Sequence, residues 1–354
     1  MTGRIEALRN LFSPKELDGY IVANEKNMEY FTGFLGGSTL LVPVEGESIL
    51  FVFGVNYEAA KEEAKGAKVE LIRSGENLHG RLAEKVGKLK LRRIGFDLLR
   101  ASSYLKIKEL LADAELEADE DLVWSLRKVK DETELAFMEK AAELTSRGMK
   151  TACEVVGAGL RERDVATEIE YEMRKSGSDG VAFETIVSSG PRSAFPHGGC
   201  GNREIRKGDL VVIDIGAKHQ SYAADMTRTL VVGEPSGRQR EIYETVRKAQ
   251  TVAVNAIQAG VEAKMVDEAA RECIARAGYG ENFVHSLGHG VGLDVHEPPS
   301  LAPRSKDVLA SGNVVTVEPG IYIPKFGGVR IEDTVVVQDE KAKKLTKAPY
   351  IFSL

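Results

Sequence analysis

Cysteine, histidine and tryptophan are scarce in this chain, at three, six and one among 354 residues. Cys153, Cys200 and Cys273 lie far apart, are odd in number and form no Cys-x-x-Cys pair. That argues against a disulfide framework and fits a reducing compartment. Cys200 follows Pro196-His197-Gly-Gly but reads as a small packing residue. No apolar run approaches the ~20 residues needed to span a bilayer, and the start has no signal-peptide core. A cytosolic location is therefore expected. A net charge of -6 offers no broad basic surface, so neither nucleic acid nor an anionic membrane is an expected partner. The first third also lacks a phosphate loop or dinucleotide fingerprint.

What is present suits two domains. Residues 4–12 predict a helix, and 19–23, 38–44 and 48–53 predict strands. Apolar residues at helical spacing mark 56–65, 77–86 and 102–111, with strands at 69–72, 93–96 and 115–117 between them. This alternation points to an α/β layer sandwich of about 120 residues. A charged, helix-prone stretch around 121–131 places the boundary near residue 125, giving domains 1–125 and 126–354. Asp131 or Thr133 can cap a long helix over 134–156, and a second helix follows over 163–175. Beyond Phe183 the pattern becomes β-rich, with strands at 184–188, 208–216 and from Tyr222. Helices at 239–258 and 263–277 follow, then strands at 314–318, 320–323 and 329–337. The expected class is α+β with a smaller α/β N-terminal domain.

The segment from His285 to Glu332 draws the chemistry together. It holds three of the six histidines, His285, His289 and His296, interleaved with glycines and acids. A mixed imidazole and carboxylate set suits Mn, Co, Zn or Fe. Asp214 interrupts the apolar run Leu-Val-Val-Ile-Asp-Ile, where alternation places Val211, Ile213 and Ile215 on one face and Asp214 on the other. Asp225 lies eleven residues on, a separation suited to neighbouring strands of a hairpin. Glu318 ends Val-Val-Thr-Val, and Glu332 interrupts Val-Arg-Ile-Glu-Asp-Thr-Val-Val. Each acid by itself could be solvated, or paired with a cation such as Arg330. Four such acids with His289 are hard to neutralise without divalent metal, because clustered carboxylates repel. Five donors, four of them carboxylates, suit two ions roughly 3.5–4 Å apart, a spacing used to activate water for hydrolysis. His197, His285 and His296 stand in Gly- and Pro-framed segments. They read either as satisfied structural histidines or as donors to substrate and tetrahedral intermediate. His79 and His219 read as surface and turn residues.

These residues carry a resemblance to a known family. His285-Ser-Leu-Gly-His289-Gly-Val-Gly-Leu-Asp-Val-His296-Glu297 looks like the signature of the metal-dependent Xaa-Pro peptidases, prolidase and aminopeptidase P. Asp214, Asp225, Glu318 and Glu332 fall in matching contexts, and the likeness covers essentially the whole chain. It implies a pita-bread catalytic domain behind a creatinase/prolidase-like N-terminal domain, and cleavage before proline by metal-activated water. By resemblance, Asp214 chelates one ion, His289 and Glu318 the other, and Asp225 and Glu332 bridge the two. Glu318 also handles the proton of the attacking water. His197 and His296 contact the scissile carbonyl or its oxyanion, His285 lines the proline pocket, and Arg330 orients acids near the metals. The resemblance further implies a homodimer and two divalent ions per subunit, Mn or Co, with Zn or Fe as alternatives.

One departure bears on the substrate. Similar prolidases carry an arginine shortly after the His-Glu pair that grips the dipeptide carboxylate. Ser300 stands about there, and Arg304 is the candidate to reach in from four residues later. Two readings follow, a Xaa-Pro dipeptidase and an aminopeptidase acting on longer peptides with proline second. A non-catalytic binding module on the same fold is a third, opposed by the intact donor set.

Overall fold

The computed structural model describes residues 3–354. Contacts divide the chain into two units, Met1–Arg127 and Lys128–Leu354.

In the first unit β1 (Gly19–Val22), β2 (Thr39–Pro43), β3 (Ile49–Phe53), β4 (Lys68–Ile72), β5 (Arg93–Phe96) and β6 (Glu115–Ala118) form one sheet. Its order is β4-β3-β2-β1-β5-β6, antiparallel through β1, β2 and β3 and parallel toward both edges. The helices are α1 (Arg4–Asn10), α2 (Glu25–Thr32), α3 (Gly54–Glu63), α4 (Leu78–Lys88), α5 (Ala101–Leu110) and α6 (Asp121–Arg127). Ile21, Leu41, Phe51 and Ile94 of the sheet pack with Leu82, Val86 and Ile107 of the helices. Helix α2 has no counterpart in the sequence reading. It starts because the Asn24 side chain accepts from the amides of Lys26 and Asn27, and it stops at Gly33 in the left-handed region. It buries polar Asn27 beside Met28, Tyr30 and Phe31, which blurs the apolar stripe that marks a helix.

The second unit begins with α7 (Glu132–Val155), capped reciprocally by Asp131 and Glu134, and α8 (Glu162–Lys175). The strands β7 (Gly180–Val181), β8 (Ile186–Ser189), β9 (Leu210–Ile215), β10 (Ala217–His219), β11 (Tyr222–Ala223) and β12 (Met226–Val231) follow. After α9 (Gly237–Ala256) and α10 (Ala263–Arg276) come β13 (Gly288–Gly290), β14 (Glu297–Leu301), β15 (Val314–Val317), β16 (Gly320–Ile323), β17 (Gly327–Arg330), β18 (Asp333–Val336) and β19 (Lys343–Lys344). The sheets run β12-β9-β8, β14-β13-β15-β18-β19, β11-β10-β7 and β16-β17. Two helix pairs cover them. Helices α7 and α8 bury Leu144, Val165 and Ile169 against Val211 and Ile213, while α9 and α10 bury Ile242, Val246 and Val266 against Val315 and Val335. Both strand sets are thus apolar on the helix side and free to carry polar groups on the other.

The strand expected over 329–337 is two strands. β17 pairs with β16 and β18 with β15, in different sheets, and the chain changes sheet at Ile331 and Glu332. Continuous alternation hid this, because both strands carry valine on either side of the break.

Candidate metal centre

Each acidic donor comes to the centre by a different local device. Asp214 sits in β9 directly opposite Thr227 of β12, in the antiparallel ladder. Asp225 occupies the link between β11 and β12, where its amide and carbonyl are both bound by Thr334 Oγ1. Glu318 lies just past β15, its amide donating to the Leu287 carbonyl at 2.9 Å. Glu332 lies in the break between β17 and β18, its amide donating to the Thr227 carbonyl at 3.0 Å and its Oε2 accepting from Thr227 Oγ1 at 2.6 Å.

His289 is carried by β13, wedged between β14 and β15. The glycines on either side permit that approach. A Cβ on Gly288 would stand 2.1 Å from the Thr316 carbonyl oxygen, and one on Gly290 would stand 2.3 Å from that of Pro298. The interleaved glycines of the motif are therefore steric requirements of the site. His289 Nδ1 lies 3.0 Å from the Gly290 carbonyl, which can only accept, so Nδ1 keeps its proton and Nε2 is the atom turned toward the acids. Nε2 lies 3.2 Å from Glu318 Oε1 and 3.8 Å from Asp225 Oδ2. Donor atoms of Asp225, His289 and Glu332 all fall within 4.8 Å of one another.

The electrostatics of the protein groups are unbalanced. Burial, then repulsion from Glu332, Asp214 and Glu318, pushes the Asp225 carboxyl well above its usual range. Burial and the charges of Glu318 and Asp214 do the same to Glu332. Burial also opposes ionisation of Glu318, but His289 beside it prevails and holds its carboxyl down at about 2. Among the described residues, Asp214 Oδ1, Asp225 Oδ1 and Glu332 Oε1 are buried oxygens with no hydrogen-bond partner. Buried, unpartnered carboxylate oxygens on Asp214, Asp225 and Glu332, two of these acids clustered with the imidazole of His289, are what a divalent cation site requires of its ligands. The residues present fit such a metal.

Around the cluster lies a cavity of about 490 Å³, lined in part by His197, His285, His296, Ser300 and Arg330. His197 and His296 are exposed to it, and the His296 ring packs 4.1 Å from that of His289. Burial and then His289 lower the pKa of His296, keeping it neutral. Arg330 is buried. Its Nη2 donates to Asp214 Oδ2 at 2.6 Å, its Nε to Thr227 Oγ1 and its Nη1 to the Tyr322 hydroxyl at 2.9 Å. The Tyr322 hydroxyl in turn lies 2.9 Å from His285 Nε2, while His285 Nδ1 meets the Ser286 carbonyl. Burial lowers the His285 pKa, so the neutral ring accepts from Tyr322.

Arg304 is not brought to the site. It is exposed and outside the cavity lining, whereas Ser300 is part of it. Among the described residues, Arg330 is the one Lys or Arg that lines the cavity. Two groups that sequence reasoning passed over belong to the arrangement. Tyr322 links Arg330 to His285, and Glu162 holds the loop that carries His197. The buried Glu162 carboxylate accepts from the amides of Ser189 and Gly201 and from Arg192 Nε, and Arg192 Nη2 grips the Gly198 carbonyl. Neither had a signal in the sequence, since a tyrosine in an apolar strand and an acid in a helix's first turn are commonplace.

Comparison with known proteins places these features in context. Residues 136–339 match the profile of Metallopeptidase family M24, and residues 4–129 match that of the Creatinase/Prolidase N-terminal domain. A Xaa-Pro dipeptidase of Pyrococcus furiosus is 42% identical over 350 residues, 98% of each chain. The solved Xaa-Pro dipeptidase from Bacillus anthracis superposes with a TM-score of 0.94 at 38% identity, over 99% of both chains. An X-Pro aminopeptidase from Thermotoga maritima superposes with a TM-score of 0.88 at 37% identity, over 96% of this chain and 98% of that one. The α+β class, with a smaller α/β N-terminal domain before a catalytic domain, agrees with these relatives. No helix among the described residues is long and apolar enough to cross a membrane.

Proposed function

Because the chain belongs to Metallopeptidase family M24, we propose that it is a metal-dependent Xaa-Pro dipeptidase, hydrolysing the peptide bond before proline. The observation that carries this reading is the clustering of Asp225, Glu332 and His289 donor atoms, with buried unpartnered oxygens on Asp214, Asp225 and Glu332, beside a cavity lined by Asp214, Asp225 and His289. Asp214, Asp225 and Glu332 would hold one divalent ion, and His289, Glu318, Asp225 and Glu332 a second, Asp225 and Glu332 being shared. When bound, such ions lower the pKa of water and polarise a carbonyl. Mn or Co is proposed, with Zn or Fe as alternatives suited to the same donors. A cytosolic location and a homodimer belong to the same reading and rest on the family resemblance.

The protein groups divide the remaining work. Glu318 takes the proton of the attacking water and passes it to the proline nitrogen as the C–N bond breaks. His296 and His197, at the open side of the cluster, donate to the oxygen that gains charge in the tetrahedral intermediate. His285, held by Tyr322 and the Ser286 carbonyl, presents a fixed face to the proline side. Arg330 restrains Asp214 and balances the acid cluster.

The second reading, an aminopeptidase taking longer peptides, is favoured by Ser300 in the cavity and Arg304 outside it, since among the described residues the one guanidinium in the lining is that of Arg330, already bound to Asp214, Thr227 and Tyr322. The test is hydrolysis of a Xaa-Pro dipeptide against a Xaa-Pro-Yaa tripeptide after chelation and metal add-back. Preference for the dipeptide supports the dipeptidase, and preference for the tripeptide supports the aminopeptidase. No metal uptake and no hydrolysis of either would leave the non-catalytic binding module.

A further inference from the structure

Glu332 sits where the chain leaves one sheet for another, so the ladders of β17 and β18 do not fix it. A carboxylate that shares two cations needs firm placement, and here the placement comes from a node behind it. Next in sequence is Asp333, fully buried, whose carboxylate accepts from five side chains. Arg228 Nη2 donates at 2.9 Å and Thr346 Oγ1 at 3.0 Å to Oδ1. Gln250 Nε2 donates at 2.8 Å, Lys344 Nζ at 2.7 Å and the Tyr350 hydroxyl at 2.6 Å to Oδ2.

Arg228 ties this node to the donor set. It is 1% exposed, and its Nη1 donates to the carbonyl oxygens of Glu332 at 2.6 Å and Thr227 at 2.9 Å. Its Nη2 also reaches the Ala348 carbonyl, and the guanidinium lies 4.3 Å from the centre of the Tyr350 ring. Thr227, whose carbonyl Arg228 holds, donates its hydroxyl to the Glu332 carboxylate. Glu332 is thus held at its main chain by Arg228 and by the Thr227 carbonyl, and at its side chain by the Thr227 hydroxyl, with the Arg228 guanidinium joining the two main-chain carbonyls. Three of the groups that fix that guanidinium and its partner acid, Lys344, Thr346 and Tyr350, lie together in residues 344–350. None of the three lines the cavity.

We propose that residues 344–350, acting through Arg228 and Asp333, form a brace that sets the Glu332 carboxylate for divalent metal, which makes Tyr350 and Arg228 positioning residues for metal affinity. The inference rests on the reading of Glu332 as a metal ligand. Planar guanidinium donors suit the task because one fork fixes three carbonyls and an acid at once.

The test is Mn²⁺ binding by calorimetry to the chelator-stripped full chain, with the melting temperature of the stripped protein measured in parallel. Tyr350→Phe removes one hydroxyl and keeps the ring. Ser353→Ala is the control, since Ser353 Oγ donates to the Gly233 carbonyl and does not touch Asp333. Loss of a group that orients a metal ligand typically weakens affinity about tenfold to a hundredfold. We expect Tyr350→Phe near the lower end of that range, Arg228→Met near the upper end, and Ser353→Ala unchanged. Arg228→Lys should restore part of the loss, through charge without the fork. Wild-type affinity in Tyr350→Phe overturns the brace even if Arg228→Met fails to fold. Equal weakening in Ser353→Ala overturns it too, by showing a general loosening. A wild-type chain that takes up no Mn²⁺, Co²⁺, Zn²⁺ or Fe²⁺ overturns the metal reading itself, a result distinct from either.

Discussion

Asp214 and Arg330 share a 2.6 Å hydrogen bond from Nη2 to Oδ2, and the second oxygen of the same carboxylate is buried without a partner. One oxygen is satisfied by the protein and the other is reserved. Burial works against the Arg330 charge, yet Tyr322, Asp214, Glu318 and Glu332 raise its pKa well above the ordinary value. Removing it leaves four acids with less compensation. Arg330→Met should therefore destabilise the metal-free protein by about 3 kcal/mol in denaturant titrations, the usual cost of breaking a buried pair. Turnover of the metal-loaded enzyme should fall as well.

Chelation should abolish hydrolysis, and Mn²⁺ or Co²⁺ should restore it. The same titration should raise the melting temperature, because an ion that binds only the folded chain stabilises it by mass action, about 2.7 kcal/mol at a hundredfold excess over Kd. Calorimetric scans across a metal series would show this.

Asp225→Ala and Glu332→Ala should each lose activity together with bound metal, measured by elemental analysis. His296→Ala should keep nearly full metal content while kcat drops about a hundredfold, as expected for a positioned donor to the intermediate. If His296→Ala also stripped the metal, its place outside the donor set would be wrong.

Glu162→Gln should loosen the loop that carries His197. The carboxylate accepts two backbone amides and an arginine, and bonds to a charged group contribute about 1.5–3 kcal/mol each. Metal content should be unchanged, with kcat reduced and stability lowered by about 2 kcal/mol.

Arg304→Ala should leave dipeptide kcat/KM unaltered, because the side chain stands outside the cavity. Ser300→Arg places a guanidinium in the lining and should shift preference toward dipeptides by about tenfold, equivalent to roughly 1.4 kcal/mol of added carboxylate binding. Parallel assays on a dipeptide and a tripeptide read both effects.

The alternating apolar runs made the strands legible, and the acids that interrupt them drew attention to Asp214, Glu318 and Glu332. Spacing alone also suggested that Asp225 approaches Asp214. The rest is non-local. Asp333 has partners at positions 228, 250 and 344–350, and Glu162 meets partners in 189–201, so neither leaves a pattern within a window of one helix or strand. Helix α2 was missed because its buried face is partly polar. The break at Glu332 was missed because alternation reports which face a residue takes and not which sheet it joins. Arg304 follows Ser300 closely in sequence, yet it is exposed on the turn after β14 and outside the cavity lining, because distance along the chain does not report where a turn aims.

The candidate donors come from five separate places in the second unit, with α9 and α10 inserted between the second and third. Such a site has high contact order: no single hairpin or contiguous fragment contains it. Opening any one of the strand pairs dissolves the whole constellation. Bound cation therefore taxes every partial opening equally, and amide exchange in β9, β12, β13, β15 and β18 should slow as one cooperative block. Occupancy of the centre would then act as a tie across the unit, converting separate sheets into a single unit of unfolding.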